Sequence, residues 1–471
     1  MQTTLERELK LDLDPGFELP ALPGEPLPGR VFTSTYHDTP TRSLARSGIT
    51  LRRRLENGKS LWQLKLPRAG LARIELEEPG GPARAPEPLA RLLATHLVRH
   101  GKLGPVATLR TRRTGVRVLD GERPVADVTI DIVDVLDAGH SAGGFRELEV
   151  ELVDGDDADL DRLGKQLRRA GARRSAGVSK LVRVLGVARP GPPPADAPLG
   201  DHLRHALAVQ LRELEGHDPG VRLGEEPEDV HDFRVATRRS RALIRATEPM
   251  LGDALAPLGE ELKWLAGILG PVRDLDVLID RLAGEVAALG TDEPAGRVLV
   301  ESLAAERAAD RDLLLEALES DRYRALLAGF EEAIATLPEP EGGIAAADIA
   351  RDGLRRLRRA AAELPPDPPD DELHAVRIRA KRARYAVELA ALGGGKAEAR
   401  AVDALKRLQD VIGEHQDAVV AEARLRKLAR AKTAIAAGRL IERERARKAA
   451  MRAAYPRAIK DALSAGKKAF G

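Results

Sequence analysis

Residues 146–152 read Arg-Glu-Leu-Glu-Val-Glu-Leu. Residues two apart on a strand face the same way. Glu147, Glu149 and Glu151 therefore share one face, and Leu148, Val150 and Leu152 share the other. The same alternation returns in both directions from this stretch. Near the start, Leu5, Leu9, Leu11 and Leu13 oppose Glu6, Glu8 and Lys10. Arg52 and Arg54 pair in LRRRL, Gln63 and Lys65 in WQLKL, and Glu75 and Glu77 in RIELEE. Arg110 and Arg112 follow in TLRTRR, then Asp127 and Asp131 in ADVTIDI.

One such strand fits an antiparallel sheet with a wet face. A merely solvated face, however, would also carry Ser, Thr, Asn and Gln. Here nearly every polar-face position is ionisable, with acids and bases sorted onto different strands. If the sheet closes, these faces converge on a lumen where unpaired charge is costly, so the pattern predicts a ligand inside. Guanidinium and ammonium groups suit the oxygens of a polyanion. Clustered glutamates suit a hard divalent cation such as Mg²⁺ or Mn²⁺.

Residues 188–200, ARPGPPPADAPLG, stop both helix and strand. Beyond them Leu and Ala recur at three- and four-residue spacing, the period of a helix. The sequence thus predicts a β domain over 1–187, a stiff linker over 188–200 and an α domain over 201–471. The α part repeats itself. His231-Asp232-Phe233-Arg234 is echoed by His374-Ala375-Val376-Arg377, and Lys263, Leu269-Gly270 and Asp274 by Lys406, Ile412-Gly413 and Asp417. Both motifs keep an offset of 143, which predicts a duplicated helical unit. A second proline-rich stretch, residues 364–371, precedes the second copy.

At 471 residues the chain exceeds one ordinary core. Lys and Arg total 76 against 74 Asp and Glu, so position, not net charge, must reveal a partner. There are no cysteines, which removes thiolate chemistry and leaves carboxylates, carbonyls or His to hold any metal. Aromatic residues are 3% of the chain, too few for the base-stacking platforms of nucleic-acid binders. The opening MQTTLERELKLDLD lacks the apolar run of a signal peptide. No run of about 18 apolar residues occurs that could span a bilayer. The expectation is a soluble, cytoplasmic protein with no membrane partner.

In the α part, His231, Arg234, Arg238, Arg241 and Arg245 fall within an arc of about 80° on one helix face. The repeat places His374, Arg377, Lys381 and Arg384 at the same offsets, with Glu388 where the first copy has Arg245. Like charges at this density repel unless an anion or an acidic helix lies against them. The persistence of the pattern through a duplication favours an anion site or a buried hydrogen bond that fixes the helix pair.

Residues 1–186 resemble a CYTH domain, the triphosphate tunnel metalloenzyme family. Glu6-Arg7-Glu8-Leu9-Lys10 matches its E-x-E-x-K signature, and Tyr36-His37-Asp38-Thr39-Pro40 is similar to its Y-x-D-T-P element. The basic and acidic rows follow in family order, and Ser179-Lys180 resembles its late Ser-Lys pair. His37 stands where an apolar aromatic residue is usual, and reads as a tolerated change. The resemblance implies an eight-stranded antiparallel tunnel that hydrolyses a triphosphate. It implies catalytic roles for Glu6, Glu8 and Lys10, and phosphate binding by Lys10, Arg52, Arg54, Lys65, Arg110, Arg112 and Lys180. It implies metal binding by Glu6, Glu8, Asp131, Glu147, Glu149 and Glu151.

Residues 196–471 resemble a CHAD domain, the conserved-histidine α-helical family, on VHDFRVATRRSRALI, LKWLAGILGPVRDLDVL, LHAVRIRAKRARYAVEL and LKRLQDVIGEHQDAVV. That resemblance implies two pseudo-symmetric four-helix bundles binding inorganic polyphosphate. The implied contacts are His231, Arg234, Arg238, Arg241, His374, Arg377, Lys381 and Arg384, with Lys263 and Lys406 as outer members. Polyphosphate binding would place the protein at polyphosphate granules. The expected activity is divalent-metal-dependent hydrolysis of inorganic triphosphate. Thiamine triphosphatase, adenylate cyclase and a non-catalytic polyphosphate binder are the alternatives.

Overall fold

A computed structural model of the chain describes residues 1–68, 72–82, 84–175, 179–187, 191–194, 196–339, 345–391 and 394–471. Residues 188–190 and 195 of the expected linker lie outside the described residues. The chain divides into two compact units, one of residues 1–189 with 215–229, the other of residues 190–214 with 230–471.

The first unit holds β1 (Gln2–Asp12), β2 (Gly24–Asp38), α1 (Ser43–Arg46), β3 (Thr50–Glu56), β4 (Lys59–Pro67), β5 (Ala72–Pro79), α2 (Glu87–Leu92), α3 (Ala94–His100), β6 (Gly104–Asp120), β7 (Arg123–Asp137), β8 (His140–Leu152), α4 (Asp157–Arg169), β9 (Arg173–Arg174) and α5 (Lys180–Leu185). Strand order is β5-β4-β3-β2-β6-β7-β8-β1, and β5 pairs back onto β1, so eight antiparallel strands close into a barrel with β9 appended to β1.

The barrel is turned inside out relative to an ordinary β core. Its charged residues face inward, and its apolar faces point outward, where helices cover them. Leu160, Leu163 and Leu167 of α4 pack on Leu11, Val128, Leu148 and Val150. Leu89 and Leu92 of α2, with Leu93 after it, cover Leu51, Trp62, Leu64, Leu66, Ile74 and Leu76. Inside, the face turns apolar at one end, where Leu181 and Val182 of α5 pack with Leu109 and Val133. Asp38 explains the local turn after β2. Its carboxylate accepts the backbone N–H groups of Leu44 and Ala45, each at 3.0 Å, and so ties down the first turn of α1.

The sequence placed residues 215–229 in the α domain; they cluster instead with the barrel. Arg99 pairs with Glu215 at 2.5 Å, Arg68 with Asp229 at 2.5 Å, and the Thr95 hydroxyl donates to Asp218. Such buried ionic pairs are strong tethers once formed, because stripping one partner leaves the other's charge without water.

The remaining helices are α6 (Leu199–Leu223), α7 (Pro227–Leu251), α8 (Ala256–Val286), α9 (Glu293–Glu319), α10 (Asp321–Ala335), α11 (Ala346–Ala362), α12 (Asp370–Ala390), α13 (Lys396–Leu428) and α14 (Ala434–Phe470). Helices α7 and α12 open 143 residues apart, at 227 and 370. One core joins α11, α12, α13 and α14 through Leu354, Leu357, Val376, Val387, Leu405, Leu408 and Ile459. Another joins α8 and α9 to the far ends of α13 and α14 through Leu282, Leu299, Leu425 and Leu440. No helix among the described residues is long and apolar enough to cross a membrane.

Candidate functional site

Cross-strand partners in an antiparallel ladder share a face, so the barrel register alone traces the inner wall. Glu8 lies opposite Glu151, Lys10 opposite Glu149 and Asp12 opposite Glu147. Glu147 lies opposite Asp131, and Asp131 opposite Arg113. Tyr36 lies opposite Arg52, Arg52 opposite Gln63, and Lys65 opposite Glu75. Glu6 closes the ring opposite Arg73.

Most of these side chains surround a cavity of about 260 Å³. Of the residues expected from sequence, Glu6, Glu8, Lys10, Arg52, Arg54, Lys65, Glu149, Glu151 and Lys180 line it. Asp131 and Glu147 are buried and reach it through shared partners. Arg110 and Arg112 are not brought in. Both are exposed, because the inward phase of β6 runs Leu109, Thr111, Arg113. Arg113 lines the cavity in their place, and Arg30 and Arg73 join it. TLRTRR offers arginines in both phases, so the alternation alone left this strand undecided. The pairing of Arg113 with Asp131 decides it.

The cavity is electrically two-sided. On one side, Lys180 Nζ lies 2.9 Å from Asp131 and 2.8 Å from Glu149, and also pairs with Glu147. Lys10 Nζ lies 2.7 Å from Glu149, and Arg113 grips Asp131 through two bonds of 2.7 Å. Burial would raise the Glu149 carboxyl, but Lys10, Lys180 and Arg113 together hold it well below the usual carboxylate range. Ser179 caps α5 and so fixes Lys180 at the helix start.

The other side is short of negative charge. The Arg54 guanidinium lies 3.7 Å above the Phe32 ring, and the one carboxylate paired with it among the described residues, Glu56 at 2.9 Å, is shared with Arg30. Burial and then the neighbouring Arg52 push Arg54 down to about 10, with Arg30 and Arg113 adding to the effect. Such a cluster is a standing demand for an anion.

Asp131, Glu147 and Glu149 bring carboxylate oxygens within 4.8 Å of one another, but Lys10, Lys180 and Arg113 already balance them. Glu151 differs. It makes no ion pair among the described residues, and burial raises its carboxyl. Burial likewise raises Glu6, and its hydrogen bond to Glu75 adds to this. Glu8, Glu149 and Glu151 adjoin one another on β1 and β8. Their hard oxygens, one of them lacking a cation, fit a divalent metal.

In the α unit, α7 and α12 bring much of the two basic stripes together. Arg234, Arg238, Arg377 and Arg384 all act on Lys381, and with burial they push its ammonium down to about 7. Arg234 is anchored by Asp274 at 2.9 Å, and Arg238 Nε donates to the Tyr385 hydroxyl at 2.7 Å. The His374 ring shares a hydrogen bond with Gln416 at 3.0 Å, and His231 is half-buried. Arg241 is outside this group; burial and Arg245 lower it. Lys263 and Lys406 pair along their own helices with Glu260 and Asp403.

A family model described as the CYTH domain matches residues 5–185, and one described as the CHAD domain matches residues 205–426. The uncharacterized Mycobacterium tuberculosis protein MT2285 is 34% identical over 460 residues, covering 89% of this chain and 88% of that protein. Two solved structures are also similar. PptA from Streptomyces chartreusis is 24% identical, with a TM-score of 0.48, over 56% of this chain and 100% of that one. The CHAD domain from the plant Ricinus communis is 26% identical, with a TM-score of 0.46, over 60% of this chain and 97% of that one. The chain belongs to the family of proteins in which a CYTH domain is followed by a CHAD domain.

Proposed function

We propose that the barrel hydrolyses inorganic triphosphate, or a closely related triphosphate, with Mg²⁺ or Mn²⁺, and that the helical unit binds inorganic polyphosphate. The observation that carries the first part is the two-sided cavity, with under-compensated guanidiniums facing under-compensated carboxylates across about 260 Å³. Arg52 and Arg54, joined by Arg30 and Arg113, bind and orient the phosphate chain. Their fixed forks stabilise charge that moves toward the leaving phosphate, without reorganisation at the moment of reaction. Lys10, Lys65 and Lys180 hold the carboxylates in place and lend positive charge to the cavity floor. Glu8, Glu149 and Glu151, with Glu6, hold the cation. When bound, it would neutralise phosphate oxygens and so leave the phosphorus they surround more open to attack.

For the helical unit the support is Lys381, an ammonium set among four guanidiniums. A chain of phosphates would relieve that repulsion at each position it passes.

The test is phosphate release from tripolyphosphate, ATP and thiamine triphosphate, with Mg²⁺ or Mn²⁺ supplied in turn. Tripolyphosphate should be turned over fastest. Cyclic AMP from ATP would replace the hydrolase reading with a cyclase one, and no turnover of any substrate with either metal would remove the enzyme reading altogether.

A further inference from the structure

We propose that the helical unit holds a second binding site, a cleft for a small neutral molecule with an apolar body and an amide-like edge. Such an edge sets an N–H donor beside a carbonyl acceptor. The cleft lies among α6, α7, α12 and α13 and has a volume of about 460 Å³. Sites for small molecules span roughly 300–1,000 Å³. Neither Lys381 nor the four arginines acting on it line this space. The proposal is therefore independent of the polyphosphate-binding reading.

Most of the wall is apolar. Ala206 and Val209 come from α6, Leu243 from α7, Leu389 from α12 and Val402 from α13. The charged side chains lining the cleft cancel in sign, Arg239 and Lys406 against Glu388 and Asp403. Asp403 lies 3.9 Å from Lys406, and Glu388 lies 3.4 Å from Arg384 and 4.0 Å from Arg239. His205 also lines the space, and burial, with Arg212 and His202, lowers its basicity, so it adds little charge at neutral pH. An anion would meet two carboxylates here and a cation two bases, so the field selects an uncharged guest.

Two polar atoms are left over. Gln210 is 7% exposed, and its Oε1 accepts no hydrogen bond among the described residues. Arg239 Nε is likewise buried and donates none. The Tyr385 hydroxyl at the same cleft is different, since it already accepts from Arg238 Nε. Buried polar atoms almost always find partners, and an exception marks a place where one belongs. The free acceptor calls for an N–H, and the free donor for a carbonyl oxygen. A cyclic amide supplies both without charge, and its ring carbons meet the apolar wall.

The full chain is titrated with carbostyril, a bicyclic amide, by calorimetry and saturation-transfer NMR. A ligand of this size should bind with a Kd of about 0.1–1 mM. N-methylcarbostyril keeps the body and the carbonyl but lacks the donor, and should bind about tenfold more weakly or worse. Gln210→Leu should shrink that preference to about twofold or less. Both ligands are compared on the same folded variant, so a loss of stability cannot imitate this result. Val402→Trp, which fills the cleft, should lose both ligands. No saturable binding of carbostyril overturns the proposal, as does equal affinity of the native chain for the two amides. A preference that survives Gln210→Leu, or tighter binding of the anion naphthoate than of carbostyril, overturns it too.

Discussion

Replacing Arg54 by glutamine should make the empty barrel more stable and its hold on triphosphate much weaker. The Arg54 side chain is 12% exposed, and burial and the neighbouring Arg52 lower it from the usual guanidinium range to about 10. A folded-state value below the unfolded one means that the unfolded chain binds this proton more readily. The resulting penalty is fully present at every pH below about 10, the physiological range included. Its upper bound is about 3 kcal/mol. That figure already includes the attraction of Glu56, and loss of the stacking on Phe32 takes back about 1–2 kcal/mol, leaving a net gain of at most about 1–2 kcal/mol. Binding moves the opposite way. A guanidinium fork on phosphate makes two charge-assisted bonds, together worth about 3 kcal/mol or more, or roughly a hundredfold in Kd. Trp62 is buried in the barrel coat and Trp264 belongs to the helical unit. In a Trp264→Phe background, fluorescence melting therefore reports on the barrel, and calorimetry with tripolyphosphate in chelator gives Kd. A variant that melts lower yet binds as before would refute the idea that Arg54 is strained for the sake of an anion.

Arg110→Ala and Arg112→Ala, on the outer face, should each leave kcat/KM within about twofold, whereas Arg113→Ala should lower it at least tenfold and destabilise the barrel by about 3 kcal/mol; steady-state assays and urea melts check both. Glu8→Gln or Glu151→Gln should cut metal-supported turnover by about a hundredfold or more while leaving retention of long polyphosphate unchanged, as filter binding will show. Because Lys381 is lowered in the free protein, polyphosphate binding at pH 8 should take up to one proton, measured by calorimetry in buffers of different ionisation enthalpy. For the same reason the ligand-free helical unit should gain stability as pH rises from about 7 toward 10, the window in which its unfolded state holds the extra proton.

The barrel was legible because a period of two is hard to disguise. Glu6, Glu8 and Lys10 face inward as their spacing required, and so do Arg52, Arg54, Lys65, Glu149 and Glu151. What spacing could not supply was phase on β6, where arginines occupy 110, 112 and 113. Leu109, in the same phase as Arg113, is apolar and yet points inward, because α5 fills that end of the lumen. A helix some 70 positions further along the chain thus set the meaning of a strand pattern. Arg30 and Arg73 were missed for a simpler reason: each is a lone base among residues of other kinds. His37, read as a tolerated change, lies with its ring 4.7 Å from Trp62, and burial lowers its basicity. The histidine-headed stripes were visible as patterns, but that α7 and α12 meet around Lys381 depends on tertiary packing that periodicity does not encode. Arg241, on the same stripe, ended up facing Arg245 and Glu260 instead.

The ring of strands has a seam whose position matters for synthesis. β1 leaves the ribosome before the other strands of the barrel, and it is zipped on one flank by β5 and on the other by β8, whose partners for Lys10 and Glu8 are residues 149 and 151. Until Glu147 and Glu149 emerge, Lys10 lacks two of the carboxylates that surround it, and its ammonium must stay hydrated. Pairing over such separations makes folding slow, since a long loop must be closed before any reward arrives. The nascent barrel therefore spends most of its translation as an open ribbon with an oily back, which is the interval in which a chaperone or an aggregate would find it.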